Sequence, residues 1–283
     1  MRLNYRISDI EDYINWVYFF YAWSVPKDSE EGQRLFADAK RMLKTMQPYM
    51  KVKAVVEILP AYSEEDDIVV QKTYLCECGA RHAYGEPIHI PMLRQQKPDN
   101  DGYCLCLSDF IRPKSAINKD RIGVFATSAS IKDEAVFAND EYNKMLLQTL
   151  SDRLAEAGAE RLHEEVRKQI WGYAPFEQLT IGEMHKEAFQ GIRPAVGYPC
   201  LPDISVNFII DELIGFKSIG VTLTEHAMMK PHASVSGFMI SHPKARYFAI
   251  GKVDEEQVAD YAKRRNIPFE EAKKYLIANL NTD

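Results

Sequence analysis

Ten consecutive residues, Gly191–Cys200 (GIRPAVGYPC), carry the best case for chemistry in this 283-residue chain. Pro194 and Pro199 stiffen the segment, and Gly191 and Gly197 allow close backbone approach. The two prolines have no N–H, so the remaining amides and carbonyls are left to face a small molecule. Arg193 presents a planar fork of donors suited to a carboxylate, such as that of an amino acid. A rigid turn whose arginine pairs with a structural Asp or Glu has the same features, and the loop alone leaves both readings open.

Two further groups of residues bear on chemistry. Cys76 and Cys78 form a Cys-x-Cys pair with His82 nearby, and Cys104 and Cys106 form another. Alternate residues of a strand point the same way, so each pair offers two thiolates, and two such pairs suit zinc. The spacing is weaker than Cys-x-x-Cys, and an odd total of 5 cysteines favours free thiols over a metal or a disulfide framework. No metal site is expected. The 7 histidines show no HxH or HExxH arrangement, and no GxGxxG or Walker loop is present.

The elements that must position the loop follow from periodicity and caps. Ser8 with Glu11 marks a helix from about Asp9, and Asp28 with Glu31 a second, with Leu35, Ala39, Met42 and Met46 at helical spacing. Val52–Leu59, Ile68–Tyr74, Tyr103–Leu107, Ile122–Ser128, Val221–Thr224, Val235–Ile240 and Tyr247–Val253 read as strands. Residues 76–102 read as an irregular excursion. The clearest element is a long helix from Asp140 to Ile170, striped by Leu147, Leu150, Leu154, Ala157 and Val166. Thr180 with Glu183 caps a short helix to about Phe189. Asp203–Gly215 reads as a helix with Asp203 at its N-cap, and Asp254–Arg265 and Phe269–Leu280 close the chain. Strands and helices do not alternate regularly, which favours α+β over a doubly wound sheet. There are no internal repeats.

Composition narrows the function. Apolar residues make up 46% and charged residues 27%, ordinary for a globular chain. A net charge of −6 gives no support to nucleic-acid binding. No apolar run reaches the roughly 20 residues that span a bilayer, and no apolar leader opens the chain, so neither nucleic acid nor membrane is an expected partner and the cytoplasm is the expected compartment.

Longer motifs add a resemblance. DYINW (12–16), FFYAW (19–23), LRQQ (93–96), CLSDFIRPK (106–114) and LSDRLAEAGAERLHEEVRKQIWGYAP (150–175) come first. RPAVGYP (193–199), LTEHAMMKPHASVSGFMISHPKARYFAIGKV (223–253), DYAKRRN (260–266) and NL (279–280) follow. In this order they resemble the S-adenosylmethionine-binding activation region of cobalamin-dependent methionine synthase. The resemblance implies one α+β domain over residues 1–283, with a bent, mainly antiparallel sheet, flanking helices and one long helix near 140–170. It implies binding of S-adenosylmethionine and reductive methylation of cob(II)alamin to methylcobalamin. The partners it implies are the cobalamin-binding module of methionine synthase and a flavodoxin-type electron donor. No Asp-x-His-x-x-Gly stretch is present, so cobalamin is expected only as a partner presents it, and the chain is expected to act in trans.

The resemblance also implies roles for particular residues. Arg193 matches the arginine that binds the ligand's carboxylate, and Ala195 sits where backbone groups contact the ligand. Gly197 gives the loop its close approach. Tyr198 matches the loop aromatic near the methyl group, and Tyr247 and Phe248 match paired aromatics on a late strand. Glu156 and Glu187 match acidic groups near the groove, although solvated helical glutamates are common. Asn15 stands where the family usually has an aspartate. Asparagine keeps an acceptor but loses the charge that would attract a cationic ligand. Met229, Lys230 and His232 depart from the usual tryptophan and small residues. These departures keep one alternative open, a scaffold of the same fold that has lost its ligand; a reductive activator of another corrinoid protein is a further alternative.

Overall fold

A computed structural model describes residues 1–76, 81–99, 101–132, 136–137 and 140–281. The fold is α+β, as the pattern of elements predicts: a bent antiparallel sheet flanked by helices, one of them long. The sheet order is β10-β7-β2-β3-β6, with β1 alongside β2. These strands are β1 (Arg2–Tyr5), β2 (Met50–Glu64), β3 (Asp67–Val70), β6 (Ile88–Pro91), β7 (Asp120–Ile131) and β10 (Ser234–Met239). Among the described residues two small ribbons complete the strands, β4 (Thr73–Leu75) with β5 (Arg81–Ala83), and β8 (Thr222–Leu223) with β9 (Met229–Lys230).

The chain divides into two compact units. The first comprises Met1–Val56, Ala126–Phe189 and Phe216–Val235. Here β1 runs antiparallel to the start of β2, with Arg2 opposite Val55. Helices α1 (Ile7–Ile10), α2 (Trp16–Trp23) and α3 (Glu30–Met46) pack on α4 (Glu141–Glu165). Asp140 caps α4 by accepting the Asn143 amide at 2.8 Å. Leu146, Leu147, Leu150, Leu154 and Leu162 form its buried face. The helix continues as a π-turn over Val166–Ile170, so the predicted span of 140–170 is met almost to the residue. A Cβ on Gly158 would lie 2.9 Å from Val52 Cγ1, so the missing side chain is what lets α4 lie down on β2. α5 (Ile181–Met184) carries the predicted Thr180–Glu183 capping box.

The second unit comprises Glu57–Phe125, Gln190–Gly215 and Ser236–Asp283. β2 turns tightly into β3, Ala61 facing Val70, and β3 pairs with β6, Val70 facing Ile88. α7 (Glu255–Arg265) and α8 (Phe269–Tyr275) close a core of Leu93, Ile250, Val258, Tyr261 and Leu276. α6 (Val206–Ile214) follows the candidate loop.

Several boundaries differ from the sequence reading, each for a local reason. The first helix begins two residues early, with the Arg6 amide donating to Asp9 Oδ2 at 2.9 Å. α3 is capped by Ser29 rather than Asp28. Tyr103–Leu107 is not a strand, because Asp109 captures the Cys106 amide at 2.9 Å and winds Leu107–Phe110 into a 3-10 turn. Tyr247–Val253 is not a strand, and Gly251 within it turns to φ 75°. Its amides are engaged elsewhere, that of Ile250 by Pro199 O at 2.9 Å and that of Val253 by Asn279 O at 2.8 Å. Asp203 does not cap α6, whose N-cap is Ser205. Residues 76–102, read as irregular, include β5 and β6.

Candidate ligand-binding loop

The 191–200 segment is ordered by its own backbone and by β10. Ile192 and Ile240 exchange amide–carbonyl bonds at 2.9 Å in both directions. The Val196 amide donates to Ser236 O and the Phe238 amide to Pro194 O, both at 2.9 Å. Ala195 thereby lies opposite Gly237. A Cβ on Gly237 would stand 2.1 Å from Pro194 O and 2.8 Å from Ala195 Cα, so only glycine permits this approach. Beyond Ala195 the chain turns back on itself. Gly197, at φ 87°, donates to Leu201 O at 2.8 Å, and the Leu201 amide donates to Tyr198 O at 2.8 Å. That φ is one an L side chain resists.

The side chains are fixed as firmly. Arg193 is buried, with its guanidinium 5.6 Å from the centroid of the Phe125 ring. Such stacking suits arginine, whose planar cation is weakly hydrated. Tyr198, at the turn, is half-exposed. The Arg193 amide donates to Tyr247 Oη at 2.8 Å, so the Tyr247 hydroxyl holds the loop's backbone. Phe248 packs against the α7–α8 core and lies 6.4 Å from the Phe110 ring, centroid to centroid. The structure therefore brings Arg193, Ala195, Gly197, Tyr198 and Tyr247 together on one segment and its immediate neighbour.

Asn15, Glu156 and Glu187 belong to the first unit. Asn15 is the N-cap of α2, its Oδ1 accepting the Val17 amide at 3.1 Å. Glu156 is half-buried on α4. Glu187 is exposed at φ 58°, just after α5.

Two arrangements escaped the sequence reading. Asp203, fully buried, accepts the Ser205 amide at 2.7 Å, the Ser205 hydroxyl at 2.9 Å and the Tyr261 hydroxyl at 2.7 Å. Arg167, in the π-turn of the first unit, is wholly buried and grips Glu177, with Nη2 to Oε1 at 2.7 Å and Nε to both oxygens at 3.0 Å. It also lies 3.7 Å from Met184 Sδ and 4.4 Å from the Phe189 ring centroid. The signal available in sequence was charge at positions that periodicity places inside, Asp203 beside an apolar run and Arg167 next to Val166.

Cys78 lies outside the described residues, and Cys76 is disulfide-bonded, which corrects the free-thiol expectation there. Cys104 and Cys106 carry free thiols. Burial pushes the Cys106 thiol up to about 11, so it is no thiolate at neutral pH. Among the described residues no cluster of three His, Cys, Asp or Glu side chains could hold a metal ion, and no helix is long and apolar enough to cross a membrane. A surface cavity of about 340 Å³ in the first unit, lined by Arg41, Phe137, Tyr142 and their neighbours, includes none of the predicted ligand residues.

Residues 6–266 match the family described as vitamin B12 dependent methionine synthase, activation domain. The chain is similar to a solved structure, the crystal structure of the MetH reactivation domain bound to AdoHcy, at 38% identity and a TM-score of 0.87. The similarity covers 100% of this chain and 90% of the other.

Proposed function

We propose that this chain, which belongs to the vitamin B12 dependent methionine synthase activation-domain family, binds S-adenosylmethionine at the 191–200 loop and supports reactivation of a cobalamin-dependent methionine synthase in trans. The observation that carries the proposal is the loop itself: a buried guanidinium, Arg193, followed on the same rigid segment by a half-exposed aromatic, Tyr198. The AdoHcy of the related structure is S-adenosylmethionine without its transferable methyl, and supports the same ligand class here.

The chemistry belongs to the small molecules: the sulfonium methyl is already activated, a cobalamin presented by a partner module and reduced by a flavodoxin-type donor would supply the cobalt that takes it, and S-adenosylhomocysteine would be left. The protein's part is position. Arg193 takes the ligand's carboxylate through charge-assisted bonds. Ala195 and Gly197 offer backbone groups, and Tyr198 lies toward the methyl. Tyr247 holds Arg193 in place from behind, and Phe248 ties that support into the core.

Calorimetric titration with S-adenosylmethionine tests the reading. Binding is expected, and Arg193→Ala should weaken it about 10- to 100-fold, the worth of a charge-assisted hydrogen bond. No binding at millimolar ligand, with no rescue of a truncated synthase, would sink it. A second reading, a scaffold of the same fold that has lost its ligand, draws on Asn15, which serves α2 as a cap without the charge that attracts a cation.

A further inference from the structure

The candidate loop ends where a buried polar cluster begins. Asp203 follows Cys200 by three residues, with Pro202 between Leu201 and Asp203 removing slack. Leu201 in turn clasps Gly197 and Tyr198 through its carbonyl and amide, each at 2.8 Å. Anything that moves Asp203 therefore moves the turn that carries Tyr198. Asp203 is held by side chains from α7, a helix more than fifty residues later in sequence. Tyr261 donates to its Oδ2 at 2.7 Å, and Arg265 Nε lies 3.6 Å from the same oxygen. Arg265 Nη2 also donates to Ser205 Oγ at 2.7 Å, and Ser205 itself donates to Asp203. All four side chains lie almost wholly inside, Arg265 at 7% exposure.

We propose that Tyr261 and Arg265 are positioning residues that set the geometry of the 191–200 loop through Asp203; the part that concerns the ligand rests on the reading of that loop as an S-adenosylmethionine site. A carboxylate buried among apolar neighbours is unfavourable unless its lone pairs are met, and here three donors meet them. Apolar residues of similar volume would hold α7 in place as well or better. What they would not supply is direction: Asp203 is fixed at one point by bonds that reach it from two sides. Burial first, and the nearby Asp203 charge second, raise the Tyr261 hydroxyl well above its usual range, so it remains a donor throughout the working pH. The sequence around Tyr261 (DYAKRRN) reads as an ordinary amphipathic helix, and the two side chains that reach the Asp203–Ser205 pair are four residues apart, on one face.

The test uses the whole chain and the conservative variant Tyr261→Phe, which removes one hydroxyl. Amide hydrogen exchange is followed without ligand, and S-adenosylmethionine affinity by calorimetry. The expected result is exchange about tenfold faster, confined to peptides covering 195–202, with β3 and α4 at wild-type rates, and affinity about tenfold weaker. Unchanged exchange in the loop overturns the proposal, and so does an even acceleration across the second unit, which marks a purely structural contact. If the wild-type chain binds no S-adenosylmethionine while the loop's exchange still responds, the ligand reading falls and the positioning role stands. Arg265→Lys is the second variant, kept for the case in which Tyr261→Phe does not fold. It too should speed exchange in 195–202 alone, and an unaffected loop in that variant overturns the proposal as well.

Discussion

Gly237→Ala is the sharpest test of how the loop is built. The new methyl would stand 2.1 Å from Pro194 O and 2.8 Å from Ala195 Cα, and both are backbone atoms that no rotamer change can move. To reach ordinary contact the loop must retreat from β10 by more than ~1 Å. That stretches the bonds from Val196 to Ser236 and from Phe238 to Pro194, now 2.9 Å, beyond useful length. Two backbone hydrogen bonds are worth about 2 kcal/mol together, and forced overpacking adds about 1–3 kcal/mol. A loss of about 3–5 kcal/mol corresponds to a fall in melting temperature of roughly 10 °C for a chain of this size. Arg193 moves with the retreating backbone, and losing its alignment with a carboxylate costs on the order of 10- to 100-fold in affinity. Scanning calorimetry reads the first effect and titration with S-adenosylmethionine the second. A variant that melts within about 2 °C of wild type would show that the backbone approach does not constrain this position.

Three other perturbations separate roles that a single structure superimposes. Asn15→Asp keeps an equally good N-cap for α2, so melting should not move, and a fall of more than about 2 °C would count against the cap assignment. Burial works against the charge on Glu164, yet hydrogen bonds from Tyr13 and Lys168 and the charges of Lys168 and Arg161 hold its carboxyl below the usual range. Its contribution is therefore complete above the ordinary glutamate pKa and disappears as pH falls through the lower folded value. Glu164→Gln should melt lower than wild type at pH 7 and converge with it in acid, whereas parallel curves across pH would refute the assignment. Arg167→Met strands Glu177, whose side chain is only 9% exposed, and should cost about 3–5 kcal/mol by urea denaturation; the double change with Glu177→Leu should recover much of it, and equal midpoints for single and double variants would contradict the pairing.

Much of this fold is written in local pattern. The long helix announced itself by a leucine stripe behind Asp140, and Thr180–Glu183 formed the box that its spacing predicts, because both signals act within a turn or two of the chain. The strands expected at Tyr103–Leu107 and Tyr247–Val253 failed because their amides have partners far away in sequence, or a carboxylate close at hand, that outbid a ladder. Periodicity cannot see such partners. The candidate loop was legible for the same reason as the long helix: proline, glycine and arginine each impose their own geometry. Its supports were not. Nothing about Gly237 in a run of small residues reveals a carbonyl across from it, and Tyr261 looks like one more apolar position of α7 until Asp203 is seen beside it.

Arg167 has a consequence for inheritance. One guanidinium answers to an acid at 177, a sulfur at 184 and a flat ring at 189. A lineage that replaces it releases all three positions at once, and a lineage that keeps it is bound to keep Glu177, since an arginine enclosed in protein has nowhere else to set its charge. The four positions should therefore change as a block among related chains, while the residues between them drift. The stretch from Val166 to Phe189, irregular to the eye, would then show up in descent as a single heritable part.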